Sequence, residues 1–227
     1  MHRHAYYFNY KMKIKRFEFN PLGVNTYILY DETSECIIID AACVFPGEQK
    51  SLLRFIEEND LTVTRLINTH MHFDHLFGVN FAADKYGLKL EANKEDLFLL
   101  ETLESQLQMF GFDTAPDYRP EIGNFLTEED TITFGKQELK ILHIPGHSPG
   151  SLVFYNENAG AAIVGDVLFS GSIGRTDLDG GNFDLLIEGI KTKLFALPDE
   201  TVIYPGHGPK STIEREKKHN PFVGGNY

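Results

Sequence analysis

The sequence predicts an α/β (α+β) protein arranged as a four-layer αββα sandwich, with two sheets face to face and helices on their outer sides. Short apolar runs rich in β-branched residues alternate along the chain with longer segments of helical period. Several of these runs end in turns marked by glycine, proline and histidine. The chain of 227 residues is long enough for such a layered arrangement to bury a substantial core in one domain.

Apolar runs bounded by turn residues place the strands in two groups. The first group is predicted at residues 14–19, 26–30, 36–40, 65–68 and 89–91, and the second at 131–134, 139–144, 152–155, 161–164 and 201–204. Apolar residues spaced three and four apart predict helices at residues 47–59, 76–86, 94–109, 182–196 and 213–218. Asn182 and Asp184 mark one helix start, because asparagine caps the first turn and an acid there suits the helix dipole.

The helical period is lost after Met109, and glycine and proline recur in the following residues. We therefore expect a loop over residues 110–125 beside the mouth of a site. Phe110, Phe112 and Tyr118 are candidates for lining a substrate pocket there. The alternative is that these aromatic side chains pack onto their own domain.

Residues 14–227 are expected to form a single domain, since no linker, composition shift or internal repeat divides them. Residues 1–13 are expected to be an extension, either disordered or an artefact of start-site choice, because Met12 resembles an alternative start. The N-terminus lacks the apolar core of a secretory signal, and no segment reaches the roughly 18 apolar residues of a membrane span. Two cysteines cannot form a disulfide framework. We therefore expect a cytoplasmic protein with reduced thiols.

The charge of the chain limits the classes of partner. The 21 Lys and Arg against 33 Asp and Glu give a net charge of −12. Such a chain repels phosphate backbones and anionic lipids, so we expect neither nucleic acid nor membrane as a partner. A small molecule is the expected partner, and the chain is expected to be a monomer or a homodimer.

The strongest chemical pattern is the run Thr-His-Met-His-Phe-Asp-His at residues 69–75, directly after an apolar stretch. His70 and His72 alternate and so point to the same side of an extended segment, while Asp74 and His75 point away from that pair in a turn. One loop can thus serve two metal positions. Imidazole and carboxylate are ligands of zinc, with iron and manganese also admissible. A histidine-rich surface loop is the alternative, and the interposed aspartate argues against it.

Further polar residues follow predicted strands in the same way. His147 lies in a turn rich in glycine and proline, and Asp166 and His207 each end an apolar run. Sites collect at such strand-to-loop junctions. His143 falls within a strand and is expected to be structural. The remaining histidines lie in polar terminal segments and are expected to be solvated: His2, His4 and His219.

The ordered histidines and aspartates resemble those of the metallo-β-lactamase superfamily. Residues 146–151, 165–169, 171–177, 205–209 and 220–222 are similar to the small, single-domain glyoxalase II-like hydrolases within it. The resemblance implies the αββα sandwich of that family and two divalent metal ions, zinc in the first place. It also implies seven ligands in two bridged sites: His70, His72 and His147 for one metal, Asp74, His75 and His207 for the other, and Asp166 between them.

The chemistry that two such ions support is hydrolysis. They lower the pKa of bound water toward neutrality and so provide hydroxide for attack on a carbonyl carbon. Asp74 and Asp166 are the predicted catalytic residues, since Asp166 would set the metal spacing and Asp74 would hold the proton of the hydroxide. No general acid is evident, and a thiolate leaving group needs none. We therefore predict a thioesterase for 2-hydroxyacyl thioesters, with S-lactoylglutathione as the substrate that the resemblance implies.

Arg175 matches a basic residue with which the family contacts glutathione, and it is the predicted substrate-binding residue. Pairing with Asp177 is an equal alternative for its guanidinium. Larger glyoxalase II enzymes carry a tyrosine where this sequence has Pro209, so the identity of the thiol carrier stays open.

Three other functions stay open. Residues 174–177 and 220–221 also resemble the persulfide dioxygenases, which would bind one iron through His70, His147 and Asp166. The same centre can serve a hydrolase of another ester or a lactone. A binding module with structural metals is the third alternative, although a structural site usually closes around one ion.

Overall fold

The first of two six-stranded sheets contains the strands of the N-terminal half in chain order. The computed structural model describes residues 11–109, 111–112 and 119–225. Within them the strands of this sheet are β1 (Lys13–Phe19), β2 (Val24–Tyr30), β3 (Glu35–Ile39), β4 (Thr62–Ile67), β5 (Leu90–Ala92) and β6 (Ile122–Phe125). The pairs from β1 to β3 are antiparallel, and those from β3 to β6 are parallel.

The second sheet contains strands of the C-terminal half in the spatial order β14-β13-β10-β9-β8-β7, and β11 and β12 form a separate hairpin. Their bounds are β7 (Thr131–Phe134), β8 (Gln137–His143), β9 (Leu152–Asn156), β10 (Ala161–Gly165), β11 (Leu168–Phe169), β12 (Ser172–Ile173), β13 (Val202–Pro205) and β14 (Ser211–Thr212). β10 and β13 run parallel, so their carboxyl ends meet at the same edge of the sheet.

Six helices lie among the described residues: α1 (Pro46–Glu58), α2 (Val79–Tyr86), α3 (Leu97–Glu101), α4 (Leu103–Met109), α5 (Phe183–Thr192) and α6 (Ile213–His219). The side chain of Asn182 accepts a hydrogen bond of 3.1 Å from Leu185 N, which confirms the predicted cap of α5. In this part of the chain no helix combines the length and the apolar character that crossing a bilayer requires.

Alternation along the strands divides the apolar side chains among three buried cores. In β3, Ile38 packs in the core beneath α1 and α2, whereas Ile37 and Ile39 face the core between the two sheets. In β9, Phe154 faces that same central core, and Val153 points to the core beneath α5 and α6. Three cores separate four layers, which confirms the predicted αββα sandwich.

The helix predicted over residues 94–109 is instead a 3-10 turn followed by α3 and α4, which part at Thr102. Thr102 Oγ1 and Gln106 Nε2 both donate to Leu99 O, at 3.4 and 3.1 Å. In a continuous helix this carbonyl oxygen would accept a backbone N–H instead. Side chains that compete with the backbone for such a carbonyl interrupt helices.

The loop predicted over residues 110–125 ends in strand β6, which pairs with β5. Three of the four residues of β6 are exposed, so this edge strand lacks the apolar alternation by which strands are recognised. At the N-terminus, Met12 is buried in the central core and Lys13 begins β1. Residues 1–10 of the predicted extension lie outside the described residues.

Candidate metal centre

The seven predicted ligands converge from loops that follow four different strands. His70, His72, Asp74 and His75 follow β4, while the other three follow β8, β10 and β13. Backbone hydrogen bonds of 2.8 Å join these loops, from Leu152 N to Thr69 O between the sheets and from Gly206 N to Gly165 O within the second sheet. The candidate centre therefore lies where the ends of strands from both sheets meet.

Three histidines form the first group of ligand atoms. His147 Nε2 lies 2.9 Å from His72 Nδ1 and 3.3 Å from His70 Nε2, and all three side chains are buried. Two nitrogens on one tetrahedral zinc lie about 3.3 Å apart, given Zn–N bonds of about 2.0–2.1 Å. The spacing of this group therefore fits a single first-row divalent ion.

A second group lies beside the first and combines a carboxylate with two histidines. Asp74 Oδ2 is 3.3 Å from His207 Nε2 and 4.0 Å from His75 Nε2. The ligand atoms of these three residues lie within 4.8 Å of one another. One carboxylate oxygen and two imidazole nitrogens are a donor set that first-row divalent metals accept.

Asp166 stands between the two groups. Its Oδ2 is 3.6 Å from His147 Nε2 and 3.5 Å from His207 Nε2, and its Oδ1 is 3.6 Å from His75 Nε2. Among the described residues, Asp166 Oδ1 and His75 Nε2 are buried without a hydrogen-bond partner. Buried polar atoms rarely stay unsatisfied, and cations between the groups would satisfy these. The residues present therefore fit two divalent ions that share Asp166.

The protonation of the first group also suits a metal. Burial lowers the pKa of His70 well below its usual value, and the neighbouring His75 and His147 lower it further. Burial, with His147 beside it, lowers the pKa of His72 to about 3. Both imidazoles are therefore neutral at pH 7, which is the form that binds metals.

At His75 and Asp166, attraction between oppositely charged side chains shifts the pKa values more than burial does. Burial alone would raise the pKa of Asp166, but His75 and the other histidines hold it below its usual range. Burial alone would lower the pKa of His75, but Asp166 and Asp74 raise it well above its usual value. Without a metal the carboxylates thus keep a proton on His75, and a bound cation would replace that proton.

Asp40 supports the centre from behind, although sequence analysis treated it only as the end of a strand. Its Oδ1 accepts from Thr69 N and its Oδ2 from Thr69 Oγ1, both at 2.7 Å. Its Oδ2 also lies 3.1 Å from His75 Nδ1, and Thr69 Oγ1 lies 3.0 Å from His70 Nδ1. Carboxylates in this position orient imidazole ligands. An acid at the end of an apolar run, as at Asp166, was the pattern that could have revealed it.

Asp96 joins the loops that carry the first group, and sequence analysis missed it as well. Its Oδ2 accepts from Met71 N at 3.0 Å and from Ser148 Oγ at 2.9 Å, and its Oδ1 accepts from Gly150 N at 2.6 Å. The side chain is fully buried. It lies in the charged run Lys-Glu-Asp, which in sequence resembles a solvated helix start.

His143 has the structural role that its position in a strand predicts. Its Nε2 lies 2.7 Å from Pro149 O, in the turn that carries His147. His219 is exposed, as expected, and His2 and His4 lie outside the described residues.

A cavity of about 670 Å³ opens over the candidate centre. It is lined in part by apolar side chains that sequence analysis did not select: Leu22, Phe73, Leu99, Phe169, Ile173 and Leu178. Phe112, expected there, is not among the lining residues and packs instead on Phe73 and Phe77, with ring centroids 6.1 and 4.9 Å away. Phe110 and Tyr118 lie outside the described residues.

Arg175 also lines the cavity, and its guanidinium is paired with Asp177. Nε and Nη2 donate to the two carboxylate oxygens, both at 2.8 Å. The ion pair with Asp177, which was the alternative to substrate binding for Arg175, is therefore present. The backbone of Arg175 has a second role, because its carbonyl oxygen lies 2.8 Å from His147 Nδ1 and fixes that ring.

The backbone of Gly206 approaches the candidate centre closely, so we expect Gly206→Ala to damage the centre. A Cβ there would collide with Asp166 Oδ1 and would lie 2.8 Å from His75 Cε1. Overpacking of this kind costs about 1–3 kcal/mol. Thermal unfolding and metal content should both fall. Gly47→Ala is the control, because nothing lies within 4 Å of a Cβ at that position, and an equal loss in both variants would contradict this explanation.

Comparison with known proteins agrees with the fold. The family model of the metallo-beta-lactamase superfamily matches residues 19–207. The chain therefore belongs to the metallo-β-lactamase superfamily, a class of metal-dependent hydrolases.

Individual relatives are similar over most of their length. The hydroxyacylglutathione hydrolase GloC of Haemophilus influenzae is 37% identical over 200 residues, which cover 88% of this chain and 92% of that protein. The crystal structure of BLEG-1 B3 metallo-beta-lactamase has a TM-score of 0.83 at 34% identity, covering 94% of this chain and 100% of that one. The structure of TTHA1623 in a di-iron-bound form has a TM-score of 0.80 at 32% identity, covering 92% and 99%.

Proposed function

We propose that this protein is a dinuclear-metal thioesterase that hydrolyses 2-hydroxyacyl thioesters. The observation that carries the proposal is the position of Asp166, within 3.6 Å of histidine nitrogens in both ligand groups. A bridging carboxylate sets two cations at the short spacing that hydrolytic two-metal centres use. The similarity to a hydroxyacylglutathione hydrolase supports this choice of substrate class.

The proposal assigns the two groups of side chains to two ions, zinc in the first place and iron or manganese as alternatives. When bound, such ions would activate water and stabilise the charge that develops on the carbonyl oxygen. His70, His72 and His147 would hold one ion, Asp74, His75 and His207 the other, and Asp166 both.

Asp74 and Asp166 are the proposed catalytic residues. Both line the cavity, so their carboxylates can contact a bound substrate as well as the metals. Burial would raise the pKa of Asp74, but His75 and a hydrogen bond from His207 outweigh burial and lower it. Asp74 is therefore ionised at pH 7 and can accept the proton of the attacking water. Asp166 would fix the separation of the two ligand groups.

The composition of the cavity favours a thiol leaving group. Apart from the proposed metal ligands, its described lining contains no histidine, lysine, tyrosine or cysteine that could protonate a poor leaving group. A thiolate can depart without such help. In the balanced reaction water adds its oxygen to the acyl carbon, the carbon–sulfur bond breaks, and a proton from water ends on the thiol.

The decisive experiment combines metal analysis with a substrate panel on one preparation of the full chain. We expect two metal ions per chain and hydrolysis of S-lactoyl thioesters, with the matched oxygen esters turned over at least about tenfold more slowly because they need a general acid. Two metals without turnover of any thioester would end the thioesterase proposal. One iron per chain with oxygen uptake on a persulfide would favour the dioxygenase alternative.

The state of the cysteines supports a cytoplasmic location, which we also propose. Cys36 and Cys43 are buried and free, and burial raises the pKa of each thiol to about 12. Unpaired thiols are typical of reducing compartments.

A further inference from the structure

One wall of the cavity is a charged segment whose backbone contacts the candidate metal centre. Residues 175–179 line the cavity at Arg175, Asp177, Leu178 and Asp179. The segment is held at its start by the contact of His147 Nδ1 with Arg175 O. It is held at its far end by hydrogen bonds of 2.8 Å from Asn182 N to Gly146 O and from Gly181 N to Leu178 O. The backbone of this wall is therefore held at a fixed place beside the candidate centre, and its charged side chains are exposed there.

The wall is negative on balance. Arg175 is the only lysine or arginine among the described lining residues, and Asp177 already binds its guanidinium through two hydrogen bonds of 2.8 Å. Asp179 adds a second carboxylate to the same wall. One positive and two negative side chains leave a net charge of −1 whichever partner the guanidinium takes.

A substrate carboxylate would therefore gain little from this wall. If Arg175 turned to bind it, Asp177 would lose its counter-charge, so one ion pair would only replace another. If Arg175 stayed with Asp177, the substrate carboxylate would face a neutral pair and the charge of Asp179. Carboxylates brought together in this way repel each other.

We propose that the cavity selects thioesters whose thiol half is uncharged or cationic, and disfavours carriers with free carboxylates such as glutathione. Asp177 and Asp179 are the specificity-determining residues, and Arg175 meets the substrate as half of a neutral pair. The apolar lining beside them, with Phe73 and Phe169, suits an uncharged carrier. The inference rests on the proposed thioesterase function.

The test compares three S-lactoyl thioesters on the metal-loaded full chain: S-lactoylglutathione, the uncharged S-lactoyl-N-acetylcysteamine and the cationic S-lactoylthiocholine. We expect kcat/KM to be about two- to fivefold lower for S-lactoylglutathione than for the uncharged thioester, the range that interactions between exposed charges produce. Added salt should bring the two kcat/KM values closer together, because salt screens exposed charges. The inference would be overturned if kcat/KM for S-lactoylglutathione equalled or exceeded that for the uncharged thioester and did not change with salt.

A matched pair of variants locates the effect. Asp177→Asn removes one negative charge and frees Arg175, so the kcat/KM for S-lactoylglutathione relative to the uncharged thioester should rise about threefold or more. Asp60→Asn is the control, since Asp60 is exposed in the turn after α1 and does not line the cavity. An unchanged ratio in Asp177→Asn would contradict the assignment. Failure of the two-metal protein to hydrolyse any of the three thioesters would instead overturn the proposed function itself.

Discussion

Asp166→Asn is expected to lose about one metal ion per chain and to lower kcat by more than about 100-fold. Loss of residues that merely orient metal ligands typically costs 10–100-fold, so loss of a shared ligand should cost more. The asparagine amide keeps the shape of the side chain, but it is neutral and presents an NH2 group that cannot bind a metal. Asp166 Oδ1 and Oδ2 each lie 3.6 Å from a histidine nitrogen, in different groups, so one substitution affects both.

Metal content and thioester turnover, measured on the same preparation, check this prediction. Asp84→Asn is the matched control, because Asp84 lies on the exposed side of α2. The control should retain both metals and full turnover. Two tightly bound ions and wild-type kcat in Asp166→Asn would contradict the bridging role.

Asp96→Asn is expected to weaken metal binding about 10–100-fold although Asp96 is not a proposed ligand. Its two oxygens accept from Met71 N, Ser148 Oγ and Gly150 N, and so fix the loop of His70 and His72 against that of His147. An asparagine must turn its NH2 group toward at least one of these donors. A buried donor left unsatisfied costs about 1–3 kcal/mol, and the loops can then separate.

Competition with a chelator measures this loss of affinity, and the absorption spectrum of the cobalt-substituted protein reports on the geometry of the first group. A purely structural effect would lower the unfolding temperature and leave the spectrum of the folded protein unchanged. Glu95→Gln is the control, since Glu95 is the exposed neighbour in the same turn. Equal chelator sensitivity in Asp96→Asn and the wild type would contradict the positioning role.

The sequence could predict which side chains gather at the candidate centre, because their pattern is local. Four of the seven lie within residues 69–75, and Asp166 and His207 end apolar runs whose strands are adjacent and parallel. The layers were predictable for a similar reason, because strand alternation is a property of each segment alone.

The supporting residues depend on contacts between distant segments and could not be predicted in that way. Asp96 bonds to Gly150, 54 residues away, and Asp40 to Thr69, 29 residues away. The break at Thr102 depends on side-chain hydrogen bonds to Leu99 O that compete with the helix. Local propensity contains no information about such partners.

The most direct test of the paired metal centre is a crystal structure of the zinc-loaded protein with anomalous data collected on both sides of the zinc edge. Two anomalous peaks are predicted, one bound by His70, His72 and His147 and the other by Asp74, His75 and His207, with Asp166 contacting both. A single peak in a fully loaded crystal, or two peaks that do not share Asp166, would contradict the two-metal account.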